Sequence, residues 1–101
     1  MMLPYYAVIF TSKRTIINED YNEISSKMVE LAKLQDGFLG LESARNEIGI
    51  TVSYWKNLES IKKWKDNLDH IDAQKSGISM WYENYTVRIA LVEKEYSFEK
   101  K

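Results

Sequence analysis

Residues 38–68 read FLGLESARNEIGITVSYWKNLESIKKWKDNL, and the fold turns on how this stretch is parsed. Phe38 to Arg45 (FLGLESAR) and Gly49 to Trp55 (GITVSYW) are short runs rich in apolar, aromatic and β-branched residues, split by Asn46-Glu47-Ile48-Gly49. Two such runs around a short turn ending in Gly predict a β-hairpin. The period then changes. After Asn57, a residue suited to capping, Leu58, Ile61, Trp64, Leu68 and Ile71 recur at helical spacing, which predicts an amphipathic helix running towards Gly77.

The same reading extends in both directions. Upstream, Tyr5 to Thr11 (YYAVIFT) predicts a strand, with Pro4 suited to its start. From Asp20, Tyr21, Ile24, Met28, Leu31 and Ala32 repeat at three and four, a helix whose start carries the Asp20/Glu23 spacing of a capping box. Gly37 stands where a left-handed terminating residue belongs. Downstream, Ile78 to Asn84 (ISMWYEN) shows no clear period, and Tyr85 to Glu95 (YTVRIALVEKE) predicts a long fourth strand, with Tyr96 and Phe98 in a charged tail. The order β-α-β-β-α-β, with right-handed crossovers, gives an α+β, ferredoxin-like split sandwich: a four-stranded antiparallel sheet with two helices on one face. Its other face should alternate with polar residues. It does not, because both Tyr5/Ala7/Ile9 and Tyr6/Val8/Phe10 are apolar. A second covering layer is therefore expected, and the sequence predicts a homodimer packed through its sheet faces, with Tyr96 and Phe98 reaching the partner.

The chain has 101 residues, which predicts one domain over residues 1–101. Its 14 basic and 15 acidic side chains give a net charge of -1, against the basic surface that phosphate neutralisation requires. An RNA-recognition domain shares the element order, but GITVSYW lacks that fold's basic and Gly-aromatic motif. The lack of cysteine removes thiolate and zinc–sulfur chemistry. No apolar run approaches the ~20 residues of a membrane span, and the N-terminus carries no basic n-region, so a cytoplasmic protein is expected.

Four stretches carry a resemblance to a known family: YYAVIFTS, QDGFLGLESAR, GITVSYWKNLESIKKWK and WYENYTVRIALVEKEY. Together they cover nearly the whole chain. With them the sequence resembles the antibiotic biosynthesis monooxygenases, dimeric α/β barrels, and looks closest to the small stand-alone Bacillus-type members. The resemblance implies a pocket between sheet and helices. It also implies oxygenation of a planar aromatic or quinol-type small molecule, held deprotonated, with no permanent cofactor. The family also includes haem-degrading monooxygenases and members with no known activity. Hence the alternatives are a haem-degrading relative, or a non-catalytic dimeric protein that binds a small ligand.

Within that frame Trp64 resembles the helix tryptophan that presses on the porphyrin in haem-degrading relatives. Those relatives place an axial histidine about ten residues further on, where this chain has Gln74, and an asparagine in the first strand, where Tyr5 to Thr11 has none. Haem is thus the less favoured cofactor, and none is expected. His70 is the sole histidine and the candidate base, being the one side chain that titrates near neutrality unperturbed. The candidate substrate-binding residues are Phe10, Tyr54, Trp64, Trp81 and Arg88, with the Tyr54 and Tyr82 hydroxyls as hydrogen-bond donors. Arg88 interrupts an apolar strand and needs either an anionic ligand or a carboxylate such as Glu42. No phosphate loop, nucleophile elbow or histidine pair for a metal occurs.

Overall fold

The computed structural model describes residues 2–75 and 78–101, without the side chains of residues 70–79. The elements are β1 (Tyr5–Arg14), α1 (Tyr21–Leu34), β2 (Phe38–Arg45), β3 (Gly49–Trp55), α2 (Leu58–Lys75), the single turn α3 (Ile78–Trp81) and β4 (Tyr82–Val92). The four strands form one antiparallel sheet in the order β2-β3-β1-β4. This is the expected ferredoxin-like arrangement. Both strands of the hairpin have the bounds read from the sequence.

Three local differences have physical causes. Asp20 does not cap α1 with its side chain; it sits at φ 59, and backbone bonds close the entry instead (Tyr21 N–H to Asn18 O, 3.0 Å; Ile24 N–H to Asp20 O, 3.0 Å). β1 runs on to Arg14 because Tyr82 and Asn84 of β4 continue to pair with it. The aperiodic ISMWYEN stretch divides, α3 ending at Trp81 and β4 starting at Tyr82, with the Trp81 carbonyl accepting the Thr15 N–H (2.8 Å). Two other expectations hold. The Asn57 Oδ1 accepts the Ser60 N–H (2.8 Å) and caps α2. Gly37 has φ +91, and a Cβ there would run into the Ser60 side chain, so both torsion and space require glycine.

Pairing assigns the faces, because residues directly opposed across strands point to the same side. Val8, opposed by Ser53 and Ile89, faces the helices and joins Ala32, Trp55 and Ile61 in the core, with Tyr6, Phe38 and Trp64 packed around them. Ile9, opposed by Val52 and Arg88, faces away. That outer face is apolar over Ala7, Ile9, Ile50, Val52, Tyr54 and Ala90, as expected, and Ile50 is 46% exposed. The segment after β4 has no regular structure; Tyr96 and Phe98 are each 90% exposed, and the Tyr5 hydroxyl donates to Glu95 Oε2 (2.7 Å). Among the described residues no helix is long and apolar enough to cross a membrane.

Candidate functional site

A cavity of about 250 Å³ lies between α1 and the helix-facing side of the sheet, lined by Phe10, Tyr21, Ser43, Arg45, Thr51 and Tyr82, among others. Its floor follows from the register. One row across the sheet is Ser43–Thr51–Phe10–Val87, and the next is Arg45–Gly49–Ser12–Tyr85. All eight residues point to the helix side. Phe10 meets Tyr82 edge-on (5.4 Å between centroids) and stacks on Tyr85 (5.3 Å). Tyr21, from the first turn of α1, stands edge-on to Tyr82 at 6.5 Å and to Trp81 at 5.3 Å. The walls are thus aromatic, and the polar groups are phenols, hydroxyls and guanidinium.

Arg45 lines this space, and Arg14 stands behind its wall, against Tyr21. Arg14 is held on several sides: its Nε donates to Trp81 O (3.2 Å), its Nη2 to Ile17 O (2.9 Å) and Asn18 Oδ1 (2.8 Å), and its Cζ lies 3.4 Å from the Tyr21 ring centroid, a cation–π contact. Arg45 reaches from β2 across β3 to the buried Ser12 hydroxyl on β1, which accepts from its Nη2. It can do so because the residue beneath it is Gly49; a Cβ there would overlap the guanidinium. No carboxylate lies within ion-pair distance of either arginine among the described residues.

The Tyr82 hydroxyl is pushed up to about 12, first by burial and then by the neighbouring Tyr21; Arg45 and Arg14 oppose the shift without cancelling it. At neutral pH Tyr82 therefore keeps its proton. It can donate a hydrogen bond to a ligand oxygen, and it is no base.

The candidates from the sequence separate into distinct places. Phe10 and Tyr82 line the cavity. Trp64 is on the helix side of the sheet but does not line the cavity: it is tilted against Trp55 at 5.1 Å, at the other end of β3 from Gly49 and Thr51, with its buried Nε1 unpartnered among the described residues. Trp81 is 1% exposed and donates from Nε1 to Glu19 O (2.9 Å), so it braces Tyr21 from behind. Tyr54 and Arg88 lie on the opposite face of the sheet, away from the cavity. Arg88 makes no ion pair with Glu42 within the chain: the two end one row, Glu42–Val52–Ile9–Arg88, with two strands between them. His70, the candidate base, falls on α2 outside the described side chains. Tyr21 and Arg45 were not singled out. The available signal was parity on FLGLESAR, which puts Leu41, Ser43 and Arg45 on one side, although it cannot say that this side is the helix side.

No family model matches the chain. An uncharacterized protein of Bacillus subtilis, YqjZ, is 44% identical over 99 residues, covering 96% of this chain and 87% of its own length. Among solved structures, SnoaB of Streptomyces nogalater, a cofactor-independent oxygenase, superposes with a TM-score of 0.65 at 10% identity, covering 96% of this chain and 99% of its own. A Chloroflexus aurantiacus protein assigned to the antibiotic biosynthesis monooxygenases gives 0.61 at 16% identity, covering 92% and 97%. The two structures share the fold, and the Bacillus protein supplies the kinship in sequence. The chain belongs to one family with that Bacillus protein, and it has the fold of a cofactor-independent oxygenase and of an antibiotic biosynthesis monooxygenase.

Proposed function

We propose that this protein is a cofactor-independent monooxygenase for a planar aromatic or quinol-type small molecule, bound in the cavity between α1 and the sheet. The observation that carries this reading is the aromatic lining of Phe10, Tyr21 and Tyr82, the last a phenol that stays protonated at neutral pH. An electron-rich ring stacks on such walls, and Tyr82 donates to one of its oxygens. In the reaction the deprotonated substrate supplies four electrons to O2: one oxygen atom is added to the ring and the other leaves as water. In an anthrone a ring CH2 becomes C=O; in a quinol one ring C–H becomes C–OH while the two hydroxyls become quinone carbonyls. Likeness in fold to a cofactor-independent oxygenase supports the reaction class.

The test is oxygen uptake with a panel of hydroquinones and anthrones in the presence of a chelator. The expected result is saturable uptake, one O2 per substrate, with Tyr82→Phe and Phe10→Ala lowering it by tenfold or more. Uptake no faster than the spontaneous reaction across the panel, with ligand binding retained, would favour a non-catalytic binding protein instead.

We propose further that the working unit is a homodimer packed through the outer sheet face, with the two-fold axis parallel to the strands and passing between β1 and β3. That axis lays β4 over the partner's β2 and β1 over the partner's β3. Two kinds of complementarity support it. In the row Glu42–Val52–Ile9–Arg88 the charged ends have opposite sign, so each Arg88 meets a Glu42 across the interface. In the row Gly40–Tyr54–Ala7–Ala90 the one large side chain faces the small ones. A surface that fits itself under a two-fold axis is what an isologous interface requires.

A further inference from the structure

We propose that Arg45, seated over Gly49 and held by Ser12, is the anchor for a permanent anionic substituent, a carboxylate on the aromatic ligand. This assignment rests on the cavity between α1 and the sheet being the ligand site.

Three observations carry it. First, the guanidinium is positioned by construction. Arg45 crosses a whole strand to reach the Ser12 hydroxyl, and the crossing is open only because position 49 lacks a side chain. A merely solvating arginine at a strand end needs no such passage. Second, its charge is unspent. The contact with Ser12 is to a neutral hydroxyl, and no carboxylate lies within ion-pair distance among the described residues. A guanidinium has five N–H donors in a planar fork, so the pair of parallel bonds a carboxylate accepts can still be made. Third, the surroundings favour an anion. Arg14, behind the lining residue Tyr21, adds a second positive charge, likewise without a carboxylate partner among the described residues, and the hydroxyls of Ser43 and Thr51 that share the lining with Arg45 are neutral. A ring lying on Phe10, with one oxygen at Tyr82, thus has its charged substituent directed to the Gly49 end of the cavity.

This end is distinct from the reacting oxygen. The phenol or quinol that gives up electrons sits by Tyr82, where the polar group is a protonated donor. The carboxylate sits by Arg45, takes no part in the chemistry, and fixes which way round the ring enters.

The experiment measures binding of 2-naphthoate and of its neutral counterpart, 2-naphthamide, by titration calorimetry at low ionic strength. The expected result is that the unaltered protein binds naphthoate at least tenfold tighter than the amide. In Arg45→Gln the two affinities converge. In Gly49→Ala, where the guanidinium is displaced, they converge with the arginine still present, and Arg45→Lys keeps part of the preference. Circular dichroism and gel filtration confirm that each variant is folded. Equal affinity of the unaltered protein for the two ligands overturns the anion assignment and leaves the cavity reading standing. A preference that survives Arg45→Gln also overturns it, since another group then reads the charge. Binding of neither ligand removes the cavity reading, and the assignment with it.

Discussion

Reversing the charge of Arg88 tests the proposed assembly most directly. Within one chain Arg88 and Glu42 end a four-residue row with β1 and β3 between them. At ~4.8 Å per strand spacing their backbones are roughly 14 Å apart, too far for an ion pair. Under the proposed axis each Arg88 instead lies above a Glu42 of the second chain. Packed sheets are ~10 Å apart, a gap that an extended arginine and glutamate span between them. These pairs sit at the rim, above the outer strands, so each contributes about 1 kcal/mol rather than the larger values of desolvated pairs. Symmetry makes two of them. Arg88→Glu converts two attractions of that size into two comparable repulsions, a change of about 4 kcal/mol, which corresponds to an approximately thousandfold weaker dimer.

Sedimentation equilibrium over a range of protein concentrations measures this. Glu42→Arg alone should weaken association similarly, and Arg88→Glu combined with Glu42→Arg should return it to within about tenfold of the original. Added salt should shrink the single-variant effect, because the pairs are at the rim. The reasoning fails if the double variant is as weak as either single one, since the two residues then do not face each other. It also fails if the unaltered chain is monomeric at all concentrations.

Three further outcomes follow from the local structure. Gly37→Ala should lower stability by roughly 2–3 kcal/mol in urea unfolding, combining the cost of φ +91 for an L-residue with the overlap against Ser60, and shortening Ser60 to glycine should recover the steric part only. Asn57→Ala should cost about 1 kcal/mol, because the Ser60 N–H at the start of α2 loses its side-chain acceptor, while Asn57→Asp should be nearly neutral. In a tyrosine absorbance titration, Tyr5 and Tyr82 should ionise near pH 12, above the free tyrosine value of about 10. Tyr5 is raised first by donating to the Glu95 carboxylate, Tyr82 first by burial. Both folded values lie above the unfolded one, so this contribution to stability is complete below pH 10 and is lost as the pH rises through about 12.

The elements were legible in the sequence wherever periodicity was clean. β2 and β3 could be bounded to the residue because Gly49 and the Asn57 cap punctuate them, and the two helices could be placed by their three-and-four spacing. The first ends of elements were harder. Asp20 has the composition of a side-chain cap, yet its left-handed backbone turns the carboxylate away from that role, and composition does not encode φ. The short turn α3 could not be seen, since four residues give no period. The site was half legible. Aromatic candidates were easy to nominate, and Phe10 and Tyr82 do line the cavity. The arginine was harder. Arg88 attracts notice because it interrupts an apolar strand, whereas Arg45 closes a strand next to a turn, where a charged residue is unremarkable.

The parity of one strand explains both the success and the failure. β1 is paired on both sides and is the central strand between β3 and β4, so its alternate residues serve two different layers. Val8, Phe10 and Ser12 give the core, the cavity floor and the acceptor for Arg45. Tyr5, Ala7 and Ile9 give the outer face. A strand with two demanding faces must read as continuously apolar, which is why composition implied a second covering layer but could not sort the candidates between layers. Arg88 opposes Ile9, and Tyr54 opposes Ala7, which commits both to the outer layer; Arg45 opposes Gly49, which opposes Ser12, which commits it to the inner one. A shift of one residue in the pairing of β1 would exchange every one of these assignments. The register of this strand therefore decides at once which arginine lines the cavity and which lies on the face of the proposed dimer contact.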